Sequence, residues 1–231
     1  EHAANLFSLA EPGFIYTRLN NPTNDVLEQR LAAMEGGVAA VATASGTAAI
    51  ATTLMVILKT GDHIVASSSL YGGTYNLLSN TLPRFGITTT FVDPDNAENF
   101  EKAIQPNTRL FFSESLGNPK LDVLDLKAIS DQAKAAKVPF VVDNTVASPA
   151  LLNPIEHGAN IVIHSLTKYL TGNGTSLGGV IIDAGTFDWG NGNFPEFTEP
   201  NPSYHGLNYH EALGAIAFIA KVRIEGLRDL G

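Results

Sequence analysis

Short apolar runs alternate with segments of helical periodicity along most of this 231-residue chain, and this alternation constrains its fold more than any other feature. Seven runs are predicted strands: 38–42, 63–66, 87–92, 109–112, 140–143, 160–164 and 179–182. Five intervening segments are predicted helices: 24–34, 47–59, 74–82, 97–104 and 126–136. Most of the runs are almost continuously apolar, as strands buried on both faces are. The pattern predicts an α/β fold with a mostly parallel sheet, helices on both faces and ligands at the carboxyl ends of the strands.

Composition excludes several classes of protein. With 14 basic and 23 acidic side chains the formal net charge is −9, which argues against nucleic acid as the main partner. Cysteine is absent, so disulfide scaffolds, cysteine-ligated zinc and thiol nucleophiles are excluded. No run approaches the roughly 18 apolar residues of a membrane span, and the first residues lack the basic and apolar regions of a signal peptide. A cytoplasmic protein without a membrane partner is predicted.

The amino-acid composition of the chain changes between residues 183 and 210, where Gly, Asn, Pro and aromatic residues dominate. A stretch of this length inside a compact domain is typical of a functional loop or an interface. A final helix is predicted from about 209 to 230. The chain begins without Met and stops directly after that helix, so we expect it to be a fragment of a longer polypeptide.

Ser165-Leu166-Thr167-Lys168 directly follows the predicted strand 160–164. Lysines are mostly solvated, so a surface lysine after a strand is the ordinary interpretation. A lysine beside two hydroxyl residues at the carboxyl end of a strand also has the setting of a Schiff-base lysine, whose amine reacts when partial burial and neighbouring groups depress its pKa. In that interpretation, Ser165 and Thr167 would donate hydrogen bonds to a phosphate beside the lysine.

Two further segments complement such a lysine. The strand 140–143 ends in Asp143. A carboxylate at this position could pair with the pyridine nitrogen of pyridoxal phosphate and keep that nitrogen protonated. The alternative is that Asp143 forms a turn or caps a helix. Ser45-Gly46-Thr47 opens a predicted helix, where backbone N–H groups and the positive helix end favour a phosphate. A plain Ser N-cap explains the same residues equally well.

Four polar residues extend this candidate site. Tyr71 follows a predicted strand and could stack on a cofactor ring or act as an acid or base, with loop packing as the alternative. Asn118 offers an amide beside the ring, and its alternative is a turn. Tyr16 and Arg18 lie outside the sheet pattern; a guanidinium suits bidentate phosphate binding, although a solvated surface arginine is the ordinary case.

Together these motifs resemble one family. They are Tyr16-Thr17-Arg18, Ser45-Gly46-Thr47, Tyr71-Gly72, Asn118-Pro119, Asp143-Asn144-Thr145 and Ser165-Leu166-Thr167-Lys168. Their order and spacing resemble the Cys/Met-metabolism enzymes that depend on pyridoxal 5'-phosphate, within the aspartate-aminotransferase-like fold (fold type I), and the resemblance covers essentially the whole chain. Within the family, the loop 197–206 and the segment 178–189 are most similar to the O-acetylhomoserine sulfhydrylase branch.

The resemblance implies a role for each motif. Lys168 would form the Schiff base, Asp143 would pair with the pyridine nitrogen, and Tyr71 would stack on the ring and act as a second acid or base. Asn118 would bond the 3-hydroxyl. The phosphate would be held by Ser45, Gly46, Thr47, Ser165 and Thr167, and Tyr16 and Arg18 would reach the phosphate of a neighbouring subunit.

The resemblance also implies an organisation. Residues 1–20 would be an extended segment that reaches a neighbouring subunit, 21–207 the cofactor-binding α/β domain, and 208–231 a helix that leads to a C-terminal domain absent from this sequence. That domain supplies the family's arginine for the substrate α-carboxylate. A homo-oligomer is expected, a dimer at least and a homotetramer by resemblance.

The implied activity is a γ-replacement that converts O-acetyl-L-homoserine and sulfide into L-homocysteine and acetate in methionine biosynthesis. Methionine γ-lyase and cystathionine γ-synthase or β-lyase activities remain alternatives, as does a truncated fragment that binds cofactor without turnover. A serine hydrolase is disfavoured because Gly174-Thr175-Ser176-Leu177-Gly178 precedes a strand instead of following one. No metal is expected, since His205 and His210 have no obvious third ligand.

Overall fold

The computed structural model describes residues 1–7, 11, 13–204 and 206–230. Within these residues, seven strands form one sheet in the order β1-β7-β6-β5-β4-β2-β3. The strands are β1 (Ala39–Thr43), β2 (His63–Ser67), β3 (Thr88–Val92), β4 (Thr108–Glu114), β5 (Phe140–Asp143), β6 (Ile161–Ser165) and β7 (Gly179–Asp183). Strands β2 to β6 are parallel, and β7 lies antiparallel between β1 and β6. The predicted α/β fold with a mostly parallel sheet is confirmed.

Helices connect the strands and cover both faces of the sheet. They are α1 (His2–Phe7), α2 (Pro22–Glu35), α3 (Gly46–Ile57), α4 (Gly72–Asn76), α5 (Glu98–Lys102), α6 (Leu126–Ala135), α7 (Ser148–Leu151), α8 (Pro195–Thr198), α9 (Tyr209–Leu213), α10 (Ala217–Lys221) and α11 (Arg228–Leu230). Two π-helical turns, Leu77–Thr81 and Val222–Leu227, continue α4 and α10. Short 3-10 turns occupy Leu82–Phe85, Pro154–His157, Tyr169–Thr171, Pro202–Tyr204 and Gly214–Ile216.

Successive residues of each central strand enter two different apolar layers, because side chains alternate across a pleated strand. Val141 belongs to the layer that α3 covers with Leu54. Its neighbour Val142 belongs to the layer that α2 and α6 cover with Leu31 and Ile129. The strands are therefore buried on both faces, which is the reason that their sequences are almost continuously apolar.

Capping residues determine where the helices of the second layer begin and end. The side chain of Asn21 accepts the backbone N–H of Thr23 at 2.9 Å at the start of α2, and Asp125 accepts that of Ala128 at 3.0 Å at the start of α6. Gly36 ends α2 with φ of 76°, a left-handed conformation that glycine adopts without steric cost.

The aromatic residues between 183 and 210 belong to the core. Trp189 is buried and stacks on Phe197 and Phe218, with ring centroids 4.2 Å and 5.4 Å apart. Phe194 packs edge-on against the same indole at 5.1 Å. The sequence predicted a functional loop or an interface here, whereas these aromatic side chains complete the layer that covers β1 and β7.

The two ends of the chain differ from the sequence-based expectations. The N-terminal segment, expected to be extended, contains the helix α1, whose Ala3, Ala4 and Leu6 are strong helix formers. The predicted helix from 209 to 230 is interrupted at Gly214, whose φ of 53° and ψ of −119° no helix contains. Residues 8–10, 12 and His205 lie outside the described residues. No helix in the described part of the chain is long and apolar enough to cross a membrane.

Candidate active site

A cavity of about 690 Å³ opens at the carboxyl edge of the sheet. Its wall contains the ends of β4, β5 and β6 and the first turn of α3. The predicted cofactor residues of the sheet edge all line it: Ser45, Gly46, Thr47, Tyr71, Asn118, Asp143, Ser165, Thr167 and Lys168. Residues that are more than 120 positions apart in sequence thus share one wall, as expected for ligand sites in α/β sheets.

The first turn of α3 lies directly against the end of β6. A Cβ atom on Gly46 would come within 2.6 Å of the Ser165 Cβ and 2.9 Å of its Cα, so only glycine permits this approach. A Cβ on Gly179 would likewise lie 2.1 Å from the carbonyl oxygen of Ser45. The Ser45 hydroxyl accepts the Ala48 N–H at 3.0 Å and so makes Ser45 the N-cap of α3. Gly46 and Thr47, whose backbone N–H groups have no partner inside the helix, line the cavity. An anion-binding helix start therefore stands beside two hydroxyl residues.

Asp143 is a buried carboxylate on the floor of the cavity. Its Oδ1 accepts the backbone N–H of Thr145 at 3.0 Å and the Thr145 hydroxyl at 2.5 Å. Among the described residues no donor reaches the second oxygen, Oδ2. Burial raises the pKa of Asp143, while the two bonds from Thr145 and the nearby His164 act in the opposite direction. The free oxygen and the burial suit a partner that brings its own positive charge.

Thr145 is a site residue whose role sequence reasoning missed. Its hydroxyl oxygen also accepts the backbone N–H of Ser165 at 2.8 Å, so one side chain joins the end of β5 to the end of β6. The residue stands two positions after Asp143, a spacing at which a hydroxyl and an N–H can both reach the carboxylate. This two-residue spacing is the feature of the sequence from which the role of Thr145 could have been predicted.

Glu114 was also missed. It lies at the end of β4, opposite Asp143 in the register of the two strands, and its Oε1 accepts the backbone N–H of Tyr71 at 2.6 Å. Burial and, to a lesser extent, the charge of Asp143 raise the pKa of Glu114 to about 8. The predicted strand stopped two residues early, at 112, so the alignment of these two carboxyl groups was not visible in the sequence.

Lys168 lines the cavity but is exposed in this chain. The sequence predicted a partly buried lysine, and the structure corrects this point. The residue lies just beyond β6, where its backbone N–H reaches the Ser165 carbonyl oxygen at 3.3 Å, and Tyr169–Thr171 begin a loop at the cavity mouth. The Thr167 hydroxyl donates to the Gly178 carbonyl oxygen at 3.2 Å and so holds this turn against the start of β7.

Asn118 reaches the cavity from a loop that an aspartate holds in place. The Ser69 hydroxyl donates to Asp122 Oδ1 at 2.7 Å, and the Gly117 N–H donates to the Asp122 carbonyl oxygen at 2.9 Å. A Cβ on Gly117 would lie 2.0 Å from Asp122 Oδ1, so this close packing requires glycine.

Tyr16 and Arg18 do not line the cavity of the same chain. Both side chains are exposed, and the Arg18 guanidinium lies 5.3 Å from the centre of the Tyr16 ring. Ser176, in the hydrolase-like motif, lies on an exposed loop before β7, where no strand leads into it and no helix follows. The strand-turn-helix context that a nucleophilic serine of that kind needs is therefore not formed there.

The residues present fit pyridoxal phosphate. Gly46 keeps open a cradle that a single Cβ would fill, the start of α3 favours a phosphate, Asp143 retains an unpaired carboxylate oxygen, and Lys168 supplies an amine at the mouth. Fold and site together define the class: an α/β protein of fold type I that holds pyridoxal phosphate at the carboxyl edge of its sheet.

Comparison with known proteins identifies the family. The chain belongs to the family described as Cys/Met metabolism PLP-dependent enzyme, whose sequence model matches residues 1–215. It is 60% identical to the O-acetyl-L-homoserine sulfhydrylase of Leptospira meyeri and 50% identical to the homocysteine synthase of Schizosaccharomyces pombe; each match covers 100% of this chain and 54% of the relative. The chain thus spans about half the length of the curated relatives it matches.

Solved structures agree with this assignment. A putative O-acetylhomoserine (thiol)-lyase of Campylobacter jejuni, whose structure carries a pyridoxyl-lysine phosphate, superposes with a TM-score of 0.86 at 40% identity, over 98% of this chain and 61% of the other. An O-acetylhomoserine sulfhydrylase of Wolinella succinogenes gives 0.81 at 38% identity, over 93% and 60%. The family and the cofactor predicted from the sequence are confirmed.

Proposed function

We propose that this chain is the cofactor-binding part of an enzyme that converts O-acetyl-L-homoserine and sulfide into L-homocysteine and acetate. The observation that carries the proposal is the shared cavity, in which Lys168, Asp143 and the start of α3 form one wall. Two relatives support the choice of substrate. One is the sulfhydrylase of Leptospira meyeri, which is 60% identical in sequence, and the other is the sulfhydrylase of Wolinella succinogenes, which is similar in structure. By the same similarity we assign the reaction to methionine biosynthesis in the cytoplasm.

The phosphate of the cofactor is held at the start of α3. The backbone N–H groups of Gly46 and Thr47, left without partners inside the helix, bind its oxygens, and the hydroxyl of Ser165 donates from the side of β6. Thr167 joins them by turning its hydroxyl from the Gly178 carbonyl oxygen to the phosphate. Ser45 contributes by capping α3 and so fixing the direction of those N–H groups.

When bound, pyridoxal phosphate supplies an electron-withdrawing ring that makes the Cα and Cβ protons of an amino acid acidic. Asp143 would hold the proton on the ring nitrogen with the carboxylate oxygen that Thr145 leaves free. Asn118 would donate its amide to the 3-hydroxyl, and the Tyr71 ring would stack on the cofactor.

Lys168 carries the cofactor in the resting enzyme and moves the protons of the substrate. Its amine takes the proton from Cα and returns it after reaction, and Tyr71 serves as a second acid or base at Cβ. Acetate leaves from Cγ with the electrons of the C–O bond, and a C–S bond from sulfide forms at the same carbon. Homocysteine and acetate then balance O-acetylhomoserine and hydrogen sulfide.

The active enzyme is a homo-oligomer, a dimer at least and a homotetramer by similarity to its family. Tyr16 and Arg18 are exposed and lie away from the cavity of their own chain, so they are free to bind the phosphate in a neighbouring subunit. Two apolar side chains at the cavity mouth, Tyr169 and Leu177, are 68% and 79% exposed, as expected for residues that a partner covers.

Borohydride reduction of the complete protein, followed by peptide mass mapping, tests the cofactor assignment. We expect a yellow protein whose pyridoxyl label is on Lys168 and whose Lys168→Ala variant loses both the colour and the label. Lys134→Ala, which removes an exposed lysine from α6, is the matched control and keeps both. A label on another lysine would refute the site.

Product analysis tests the reaction. Incubation with O-acetylhomoserine and sulfide should give homocysteine and acetate in equal amounts. Release of α-keto acid without added sulfide would indicate a γ-lyase instead, and cystathionine formation from cysteine would indicate a cystathionine γ-synthase. Product formation by the complete protein but not by this 231-residue chain, with both labelled on Lys168, would favour the alternative of a fragment that binds cofactor without turnover.

A further inference from the structure

We propose that Glu114 is a positioning residue of the cofactor site: as a neutral carboxylic acid it anchors the backbone of Tyr71 and leaves Asp143 as the single anion at the ring nitrogen. This inference rests on the proposed function, because it assigns Asp143 and Tyr71 their places around pyridoxal phosphate. Glu114 is not part of any of the six motifs from which the cofactor site was predicted.

The register of the sheet places the two carboxyl groups side by side. Glu114 and Asp143 are paired residues of the parallel strands β4 and β5, so their Cα atoms lie about 5 Å apart and their side chains point to the same face. Both line the cavity, and their exposed fractions are only 5% and 9%. Two like charges at this separation and burial cannot both form without a large electrostatic cost.

The surrounding groups decide which of the two stays ionised. Burial raises the pKa of Asp143 as well, but its two hydrogen bonds from Thr145 and the nearby His164 favour the anionic form. Glu114 receives one, from the Tyr71 N–H, and faces the negative charges of Asp143 and Asp122. The pKa of Glu114 is accordingly raised to about 8, with burial as the largest cause.

Among the described residues, the charge of His164 favours the Asp143 anion, and no positive group acts in this way on Glu114. Lys168 lines the same cavity but is exposed at its mouth. On the other side of Glu114 the strand β2 ends in Ser67 and Ser68, which carry no charge. The Tyr71 phenol is the remaining titratable group of the adjoining turn. A proton on Glu114 therefore relieves the repulsion that the sheet register creates.

The neutral form is sufficient for the anchoring role. A carboxylic acid keeps a carbonyl oxygen, which accepts the Tyr71 N–H as a carboxylate oxygen does. Tyr71 precedes α4, and its ring is 51% exposed, so the ring has few packing contacts to fix it. The hydrogen bond from its backbone N–H to Glu114 ties this turn to the end of β4, while its carbonyl oxygen accepts the Tyr75 N–H at 2.9 Å inside α4.

Two substitutions in the complete holoenzyme separate anchoring from charge. Glu114→Gln keeps an acceptor oxygen and removes the ability to ionise; Glu114→Ala removes both. At pH 7 we expect the dissociation constant of pyridoxal phosphate, measured by equilibrium dialysis, to be unchanged within about twofold for Gln. For Ala it should rise about tenfold, since the Tyr71 N–H loses its buried partner.

The pH profile supplies the second readout. The wild-type affinity and visible absorption band should change as the pH passes about 8, where Glu114 ionises. This step should be missing in Glu114→Gln. Infrared difference spectra between pH 7 and pH 9.5 should contain the C=O band of a protonated carboxylic acid for the wild type only.

The outcomes are distinct. A Gln variant that binds as weakly as the Ala variant at pH 7 would show that the anion is required, and unchanged binding in both would show that Glu114 anchors nothing; either overturns the proposal. If the Ala variant does not fold, the pH profile decides: a wild type without a step near pH 8, or a Glu114→Gln variant that keeps it, overturns the proposal. Failure of the proposed function would appear separately, as a wild-type pyridoxyl label away from Lys168.

Discussion

At the scale of single residues, the strand ends hold carboxyl groups with few positive neighbours. Asp183, the last residue of β7, is buried, and its Oδ1 accepts the Gly185 N–H at 2.8 Å. Among the described residues its Oδ2 has no hydrogen-bond partner. Burial raises the pKa of Asp183 to about 7, against the effect of the two backbone bonds that it receives. The folded chain therefore binds a proton here that the unfolded chain has already released at neutral pH.

This difference predicts a pH-dependent stability. The free energy of unfolding should fall as the pH rises from about 4 to about 7, because the unfolded state loses the Asp183 proton first. Asp183→Asn should remove this contribution and stabilise the cofactor-free protein at pH 8 by an amount on the order of 4 kcal/mol. Urea unfolding at several pH values measures the effect.

A matched control is available in the same segment. Asp188 accepts the Gly190 N–H at 2.9 Å in the same two-residue arrangement, but it is exposed. Asp188→Asn should leave the pH dependence as it is in the wild type. Equal slopes for Asp183→Asn and the wild type would mean that the buried carboxyl is ionised in the folded protein as it is in the unfolded chain.

At the scale of secondary-structure elements, the contact between α3 and β6 determines the width of the phosphate cradle. Gly46 and Ser165 are in contact through backbone and Cβ, and the start of β7 approaches the same turn through Gly179. The sheet order contributes to this contact. Because β7 lies between β1 and β6, the first turn of α3 packs against the start of β7 and the end of β6.

Gly46→Ala should therefore weaken cofactor binding without changing any polar group. The new methyl group would overlap the Ser165 Cβ and push α3 outward, a strain of about 1–3 kcal/mol, which corresponds to roughly 5- to 150-fold in the dissociation constant. Titration of the apoprotein with pyridoxal phosphate, followed by its visible absorption, measures this.

Gly72→Ala is the control for a glycine at a helix start. A Cβ there meets no atom within 4 Å, and Gly72 begins α4 as Gly46 begins α3. We expect its cofactor affinity to stay within about twofold of the wild type. Comparable losses in both variants would mean that helix-start flexibility, and not the contact with Ser165, sets the affinity.

At the scale of the whole molecule, we expect the proposed site to need residues from two subunits. Arg18 and Tyr16 are absent from the cavity wall of their own chain, while Lys168 is on it. In an isologous dimer each site would combine Lys168 of one subunit with Arg18 of the other. Substitutions in these two positions should therefore complement each other.

Mixing the variants tests this arrangement. Complete proteins that carry Lys168→Ala or Arg18→Ala should each have low activity. After joint refolding, half of the dimers would be mixed, and each mixed dimer would hold one intact site, so activity should recover to about a quarter of the wild-type value. No recovery above the average of the two parents would place Arg18 and Lys168 in the same subunit's site.

The fold and most of the site could be predicted because they depend on local pattern. The seven strands were predictable within two residues at each end, since a strand buried on both faces must be apolar throughout. Lys168, Asp143 and Gly46 stand directly after a strand or at the start of a helix, so the rule that strand ends meet at one edge was sufficient to group them. The final helix was predicted too long because its break depends on the dihedral angles of one glycine, Gly214.

The sequence alone determined the α/β class, the family and the residues at the cofactor edge, because these follow from periodicity and from motifs that are contiguous in the chain. Only the tertiary structure decided which of these side chains touch. The register of β4 against β5 pairs Glu114 with Asp143, and packing of α2 on the sheet puts Glu35 Oε1 at 2.6 Å from Nε2 of His164, 129 positions away. Such pairs stay invisible in the sequence because strand order and helix packing are decided by burial of the whole core.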